Sequence, residues 1–287
     1  VNRCALIDGD EVAYKGAFAC QKTIYTVLDK DGKEVWTCKL KAEAIEFIDT
    51  NDELDISRRH IPLSLQLGFN KIDKLLSSIL FNSKSDELRL FLSGDNNFRL
   101  SLATLTPYKG NRGSKPVNLE EMKDYIRRKG SECISFLEAD DCLSASQDNI
   151  KDYETVICSS DKDLKTVPGW NYTPLSKKLI YINKDEARYN FYYQLLIGDG
   201  IDNIVSPKGL GPKTAVKILK ECYENNANEI EYYKTVYKAY ELYLSKGKTL
   251  WWKEDKMVIK DVIWEIANLL YMRRTLKEDE RWEVPSG

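Results

Sequence analysis

The sequence predicts an α/β fold, with a mainly parallel central sheet flanked by helices and a helical region after it. Three observations predict this. Apolar runs of strand length recur through the first two-thirds of the chain, helix-patterned segments separate them, and from about residue 186 the pattern is helical to the end. The strand-like runs are CALI before Asp8, LRLFLSG before Asp95, CISFL before Glu138 and TVICSS before Asp161. Between them lie KIDKLLSSIL (71–80), LEEMKDYIRRK (119–129) and DDCLSASQDNI (140–150). Two stretches depart from the alternation. TIYTVL, DKDG and KEVWTCKL read as a hairpin with an Asp-Gly turn, and 49–63 read as a polar connection. A boundary near residue 190 divides an α/β region, 1–190, from a helical region, 191–287, with an aromatic tail at Trp251, Trp252, Trp264 and Trp282 expected to pack as core.

Composition narrows the chemistry. The 287 residues are 43% hydrophobic and 31% charged, with a net charge of -2, and no apolar run approaches the ~18 residues of a bilayer span. The seven cysteines are odd in number and lack C-x-x-C spacing, which favours reduced core thiols in a cytoplasmic protein. One histidine, His60, rules out a two-histidine metal site within the chain and leaves any Ser-His-Asp arrangement without a nucleophile motif. Carboxylates, lysines and hard metal ions remain.

Each strand-like run ends in acids. Asp8 follows the first, Asp95 the second, Glu138, Asp140 and Asp141 the third, and Asp161 and Asp163 the fourth; Asp199 and Asp202 lie in GDGIDN. In an open parallel sheet the carboxyl ends of the strands share one edge, so these acids are expected to converge. Taken singly, each group has an ordinary reading: Asp140 and Asp141 as helix caps, Asp161, Asp163, Asp199 and Asp202 as turn formers. Together they point to oxygen-only ligation of magnesium or manganese, suited to phosphodiester hydrolysis. FRLSLATLTPYKGNRGSKP (98–116) adds Arg99, Lys109, Arg112 and Lys115 with Tyr108, charges for phosphate and a ring for stacking. SPKGLGPKTAVKIL (206–219) places Gly209 and Gly211 in a turn, with Lys213, Thr214 and Lys217 opening a helix where phosphate can bind.

In order, LIDGD, LSGDNNFR, PYKGNR, EADD, SSDKDLKT, IGDGIDNI and GLGPKTA resemble the 5′ nuclease family of flap endonucleases, polymerase 5′-nuclease domains and phage 5′–3′ exonucleases, the last being the nearest likeness. The resemblance spans about residues 8 to 215 and implies a PIN-like sheet followed by a helix–three-turn–helix DNA-binding element. It implies that Asp8, Asp95, Glu138 and Asp140 surround a first metal ion, and Asp141, Asp161, Asp163, Asp199 and Asp202 a second, with Asp10 less secure. Lys109, Arg112 and Arg99 match basic residues that help position phosphate. Gly209 to Thr214 match the element that holds duplex DNA, often with K+. The implied protein is a Mg2+-dependent 5′–3′ exodeoxyribonuclease, Mn2+ substituting, with 5′ flap (RNase H-like) cleavage as a second expectation. Its implied partners are DNA with a 5′ end or flap, RNA–DNA hybrid and replication proteins, in the cytoplasm (the host's, if phage-encoded) and not at a membrane. The arch segment near 98–118 is short, which favours duplex ends over threaded flaps; the hairpin at 23–40 has no counterpart; and the likeness fades after about residue 222. The rival readings are a DNA-binding protein without catalysis and a PIN-type ribonuclease, against which the full acid set and GLGPKTA respectively argue.

Overall fold

A computed structural model describes residues 2–49, 53–150, 154–246, 251 and 257–286, the side chain of Asp148 excepted. The chain opens with β1 (Arg3–Asp8), α1 (Gly9–Ala19), β2 (Gln21–Leu28), β3 (Glu34–Cys38), α2 (Lys41–Ile48), β4 (Asp55–Pro62) and α3 (Leu65–Ser83). It continues with β5 (Glu87–Ser93), α4 (Phe98–Leu102), α5 (Leu119–Arg128), β6 (Glu132–Ile134), α6 (Ala139–Asn149) and β7 (Glu154–Cys158). After a 3-10 turn at Asp163–Thr166 come β8 (Gly169–Thr173), β9 (Lys178–Ile182), α7 (Lys184–Ile197), α8 (Pro212–Glu224), α9 (Glu229–Leu244) and α10 (Ile259–Leu270).

These elements form two compact units: residues 1–9, 79–113 and 131–287 in one, residues 10–78 and 114–130 in the other. The expected division near residue 190 does not coincide with this partition. The reason lies in packing, since α7 lies on the 3-10 turn behind β7 and α10 lies on α4, so sheet and later helices share one unit.

The first unit carries a six-stranded sheet in the order β6-β5-β1-β7-β8-β9. Every neighbouring pair is parallel except β8 and β9, as the alternation of runs predicts. The central strands β1 and β7 are buried on both faces, which explains why CALI and TVIC are unbroken apolar runs rather than alternating ones. Leu6, Phe91, Leu143, Ile157 and Leu164 share a core there. Helices α7 to α10 share a second core containing Tyr192, Leu195, Leu219, Val236, Tyr240 and Trp282. The Tyr240 hydroxyl, fully buried, donates to the Leu195 carbonyl at 2.6 Å. The tail aromatics Trp251, Trp264 and Trp282 pack on this core as expected, while Trp252 lies outside the described residues. Asn183 and Asn228 cap α7 and α9 by accepting amide protons of the first turn, with Glu186 and Glu231 returning the bond.

The second unit holds a three-stranded antiparallel sheet in the order β3-β2-β4. The hairpin is present, and Asp29 Oδ1 accepts the amides of Asp31 and Lys33, so the carboxylate closes its own turn as the hairpin reading expects. The segment read as a polar connection is instead largely strand: β4 pairs with β2 along its whole length. DISRRHIP is polar on both faces, and a strand without an apolar stripe reads as a loop. His60 Nδ1 sits 2.9 Å from Thr23 Oγ1 and 3.2 Å from Gln21 Nε2, a structural bond within this sheet. All seven cysteines are free thiols. Among the described residues no helix is long and apolar enough to cross a membrane.

One backbone contact positions the start of the basic segment. Gly94 donates its N–H to the Leu137 carbonyl at 2.8 Å, and a Cβ there would stand 2.1 Å from the Ile134 oxygen. Only glycine lets the chain leave β5 this close to the turn before α6. Gly94→Ala is expected to lower unfolding free energy by roughly 1–3 kcal/mol. Gly113→Ala, where an added Cβ meets nothing within 4 Å, is expected to stay within about 0.5 kcal/mol in the same urea titration.

Candidate active site

Asp8 ends β1 and Asp161 follows β7 on the adjoining strand, so both emerge at the carboxyl edge of the parallel sheet. A relay of short bonds fixes their spacing. Ser159 Oγ donates to Asp8 Oδ2 at 3.3 Å and accepts the Asp161 N–H at 3.1 Å. Asp161 Oδ1 accepts the Asp163 N–H at 2.8 Å, and Asp163 Oδ1 accepts from Gln194 Nε2 of α7 at 2.7 Å. Glu138 and Asp140 stand at the start of α6, beside the same edge.

Two groups of acids result. Burial, and then the charges of Asp8, Asp161 and Glu138, push the Asp140 carboxyl well above the usual range. Its Oδ1 is buried and has no hydrogen-bond partner among the described residues. Burial, and then Asp161 and Asp199, push Asp163 up to about 7. Asp161 is itself raised, chiefly by burial, with Asp202 and Asp199 adding to it and the Asp163 amide working against it. Asp161 therefore faces both groups.

Asp199 and Asp202 lie in the turn after α7. Gly198 makes this turn possible: its φ is 67°, and a Cβ would stand 2.4 Å from the Ile204 carbonyl oxygen. Asp199 Oδ1 accepts the Ile201 amide at 2.7 Å, which holds the turn shut.

Cations neutralise part of the cluster. Lys109 contacts Glu138 and lies 3.6 Å from Asp202, Arg112 pairs with Asp202 at 2.7 Å, and Lys162 pairs with Asp199 at 3.0 Å. Burial alone would raise Glu138, but Arg99 and Lys109 hold its carboxyl below the usual value. Among the described residues no three His, Cys, Asp or Glu side chains are arranged to enclose a metal ion as they lie. Several acids are turned instead onto these lysines and arginines.

The structure places three expected site residues differently. Asp141 is fully buried and takes both ends of the Arg99 guanidinium, at 2.6 and 2.8 Å. Arg99, 1% exposed, also donates to the carbonyls of Leu269 and Tyr271, so it faces the interior and not an incoming phosphate. Tyr108 is 7% exposed, with its hydroxyl donating to Glu138 at 2.8 Å and lying 3.0 Å from Asp202, which leaves no ring face for a base. All three belong to the scaffold: the 98–102 stretch folds as α4 with Arg99 buried against Asp141 of α6, and the Tyr108 hydroxyl is taken up by Glu138.

The remaining candidates stand apart from the cluster. Asp95 is exposed and makes no hydrogen bond or ion pair among the described residues. Lys115 is exposed in the second unit, where Asp10 pairs with Lys123 at 2.8 Å. Gly209, with φ 99°, and Gly211, the N-cap, lead into α8 through Pro212, and Thr214 donates its N–H to the Gly211 carbonyl. Lys213 and Lys217 are exposed one turn apart on α8. Sequence reasoning missed Ser159, Lys162 and Gln194. A signal existed for the last two: a lysine between two acids in SSDKD, and a glutamine in the apolar run YYQLLI.

No family model matches the chain. Among curated proteins, a 5′–3′ exonuclease of Buchnera aphidicola is 29% identical over 202 residues, 64% of each chain. A 5′–3′ exonuclease of Aquifex aeolicus is 28% identical over 131 residues, 40% of this chain and 45% of that protein. The chain thus spans less than two-thirds of the length of these relatives. Two structures of the bacteriophage T5 5′ nuclease are similar, one co-crystallised with metal ions and one a flap endonuclease pseudo-enzyme–product complex with DNA and metal ions. Their TM-scores are 0.54 and 0.51 at 14% identity, covering 94% of this chain and 89% of theirs, and they show that the fold is shared.

The Arg99–Asp141 pair generates a stability prediction. Arg99→Leu leaves the Asp141 carboxylate buried without its ion-pair partner, and a loss of about 3–5 kcal/mol is expected. Urea unfolding measures it; a loss below 1 kcal/mol would remove the pair from its structural role.

Proposed function

We propose that this chain is a divalent-metal-dependent 5′–3′ exodeoxyribonuclease that also cleaves 5′ flaps. The exonuclease relatives and the shared fold support a 5′ nuclease family. The observation that carries the reading is the convergence of Asp8, Glu138, Asp140 and Asp161 on one sheet edge, with a buried Asp140 oxygen that has no donor among the described residues. Oxygen-only donors, with Asp140 raised by burial and by the charges of Asp8, Asp161 and Glu138, suit a hard divalent cation, Mg2+ or Mn2+.

In this reading Asp8, Glu138 and Asp140 hold one ion, Asp163, Asp199 and Asp202 the other, and Asp161 lies between them. Asp95, exposed after β5, would add a further carboxylate to the site. When bound, the ions lower the pKa of water and offset charge on the attacking and leaving oxygens. The chain's own groups supply the rest. Lys109 and Arg112 bring positive charge to the scissile phosphate. Gln194 and Ser159 keep Asp163, Asp161 and Asp8 in place. Asp141 and Arg99 act as a positioning pair that anchors Glu138 to the fold.

The turn at Gly209 to Gly211 with Lys213 and Lys217 is the proposed duplex seat, K+ being the monovalent ion this reading assigns to it; Lys115 adds a further phosphate contact. RNA–DNA hybrid is a further substrate, replication proteins are the implied partners, and the cytoplasm is the implied compartment.

Asp140→Asn is expected to lower cleavage of a 5′-labelled duplex at least ~100-fold in Mg2+ while duplex binding in Ca2+ is retained. Full activity in that variant would sink the assignment. Comparing a blunt duplex, a 5′ flap and a blocked 5′ flap side by side tests the end preference. Lys213→Ala with Lys217→Ala is expected to weaken duplex binding and to reduce the slope of log K against log salt by about 1–2.

A further inference from the structure

We infer that a tyrosine-walled groove behind the acidic edge binds one or two unpaired bases of a nucleic-acid strand. The groove has a volume of about 630 Å3, within the range of roughly 300–1,000 Å3 of ligand sites, and lies among β9, α7, α8 and the 3-10 turn. Three tyrosines form its walls. Tyr181 on β9 is 59% exposed and Tyr223 on α8 is 47% exposed, while Tyr189 on α7 meets Tyr223 edge-on at 4.9 Å. Tyr189 also stacks on Tyr193 at 6.1 Å, so the free ring surface is that of the exposed Tyr181 and Tyr223, and Trp170 steadies the Tyr181 ring at 5.3 Å. Exposed rings braced by neighbouring aromatics are platforms on which any base can stack.

Charge and position identify the occupant. Lys165 lines the groove and has no ion pair among the described residues, so it offers a cation to a backbone phosphate. The one acid in the lining, Glu186, already accepts the Asn183 amide at 2.9 Å in its capping box. The groove also shares elements with the proposed nucleic-acid surface. Tyr223 lies on α8, the helix of the proposed duplex seat, and Lys165 lies two residues beyond Asp163. Helix α7 ties the two places together: Asn190 donates to the Lys165 carbonyl at 3.0 Å, and Gln194, one turn on, holds the Asp163 carboxylate. A strand whose duplex part rests on α8 meets this groove with its unpaired part. The inference rests on the nuclease reading and adds a second contact area to it.

The test uses the whole protein, metal-free in EDTA, with a fluorescein-labelled dT twelve-mer and a blunt duplex of equal length, both read by anisotropy. Tyr181→Ala with Tyr223→Ala is expected to weaken twelve-mer binding roughly ten-fold or more, as loss of stacking predicts. Duplex affinity and the unfolding midpoint stay as in the parent. Tyr181→Phe with Tyr223→Phe keeps the rings and is expected to restore binding, and Lys165→Glu alone is expected to weaken it. Unchanged twelve-mer affinity in the alanine variant overturns the proposal in favour of a protein strand on the open edge of β9. An equal fall for duplex and twelve-mer with an unchanged midpoint also overturns it. If the parent binds neither DNA, the nuclease reading falls and takes this inference with it.

Discussion

Carboxylates brought together on one edge of a sheet repel one another, and much of the first unit is arranged around that repulsion. Desolvation makes each negative charge costlier, and each neighbour adds to the cost. The fold answers it in two ways. Glu138, Asp199 and Asp202 are met by Lys109, Lys162 and Arg112, so their charge is balanced within the chain. Among the described residues Asp140 and Asp163 form no ion pair, and burial and then the neighbouring acids raise their affinity for protons. A place where the chain leaves charge unbalanced is a place where it is prepared to take charge from outside.

The buried interactions behind this edge explain why the later helices cannot be treated as an appendage. Arg99 connects Asp141 and Glu138 of α6 with the carbonyls of Leu269 and Tyr271 at the end of α10. Gln194 connects α7 to Asp163. Both ends of the helical region therefore hold on to acids of the sheet edge through charged or amide groups. A guanidinium with this many fixed acceptors has one orientation available to it, and it transmits that orientation to the two acids it touches.

Much of this was legible in the chain. Burial on both faces makes β1 and β7 continuous apolar runs, and an acid at the end of each run marks the edge. Asp8, Glu138, Asp140 and Asp161 could be grouped from this alone. What was illegible has physical causes. Strand β4 has no apolar stripe, because backbone pairing with β2 and not side-chain burial defines it. Arg99 and Tyr108 look like surface groups because charge and hydroxyl suggest water, yet a fully paired guanidinium and a doubly bonded hydroxyl can be buried. No spacing rule reveals that pairing, since the partners are 30 or more residues away. The division near residue 190 differs from these units for a related reason: a change in pattern from strands to helices marks local structure, whereas the units follow long-range contacts.

The partition has a topological consequence. The second unit is made of two stretches, 10–78 and 114–130, with a β-strand and helix α4 of the first unit threaded between them in sequence. It cannot have been gained, nor can it be removed, as one contiguous cassette. Excision takes two cuts and two repairs, and a single backbone break inside either stretch leaves both ends of the chain attached to folded neighbours. The unit that carries the unassigned hairpin is therefore interleaved with the first unit along the sequence, and no single excision isolates it.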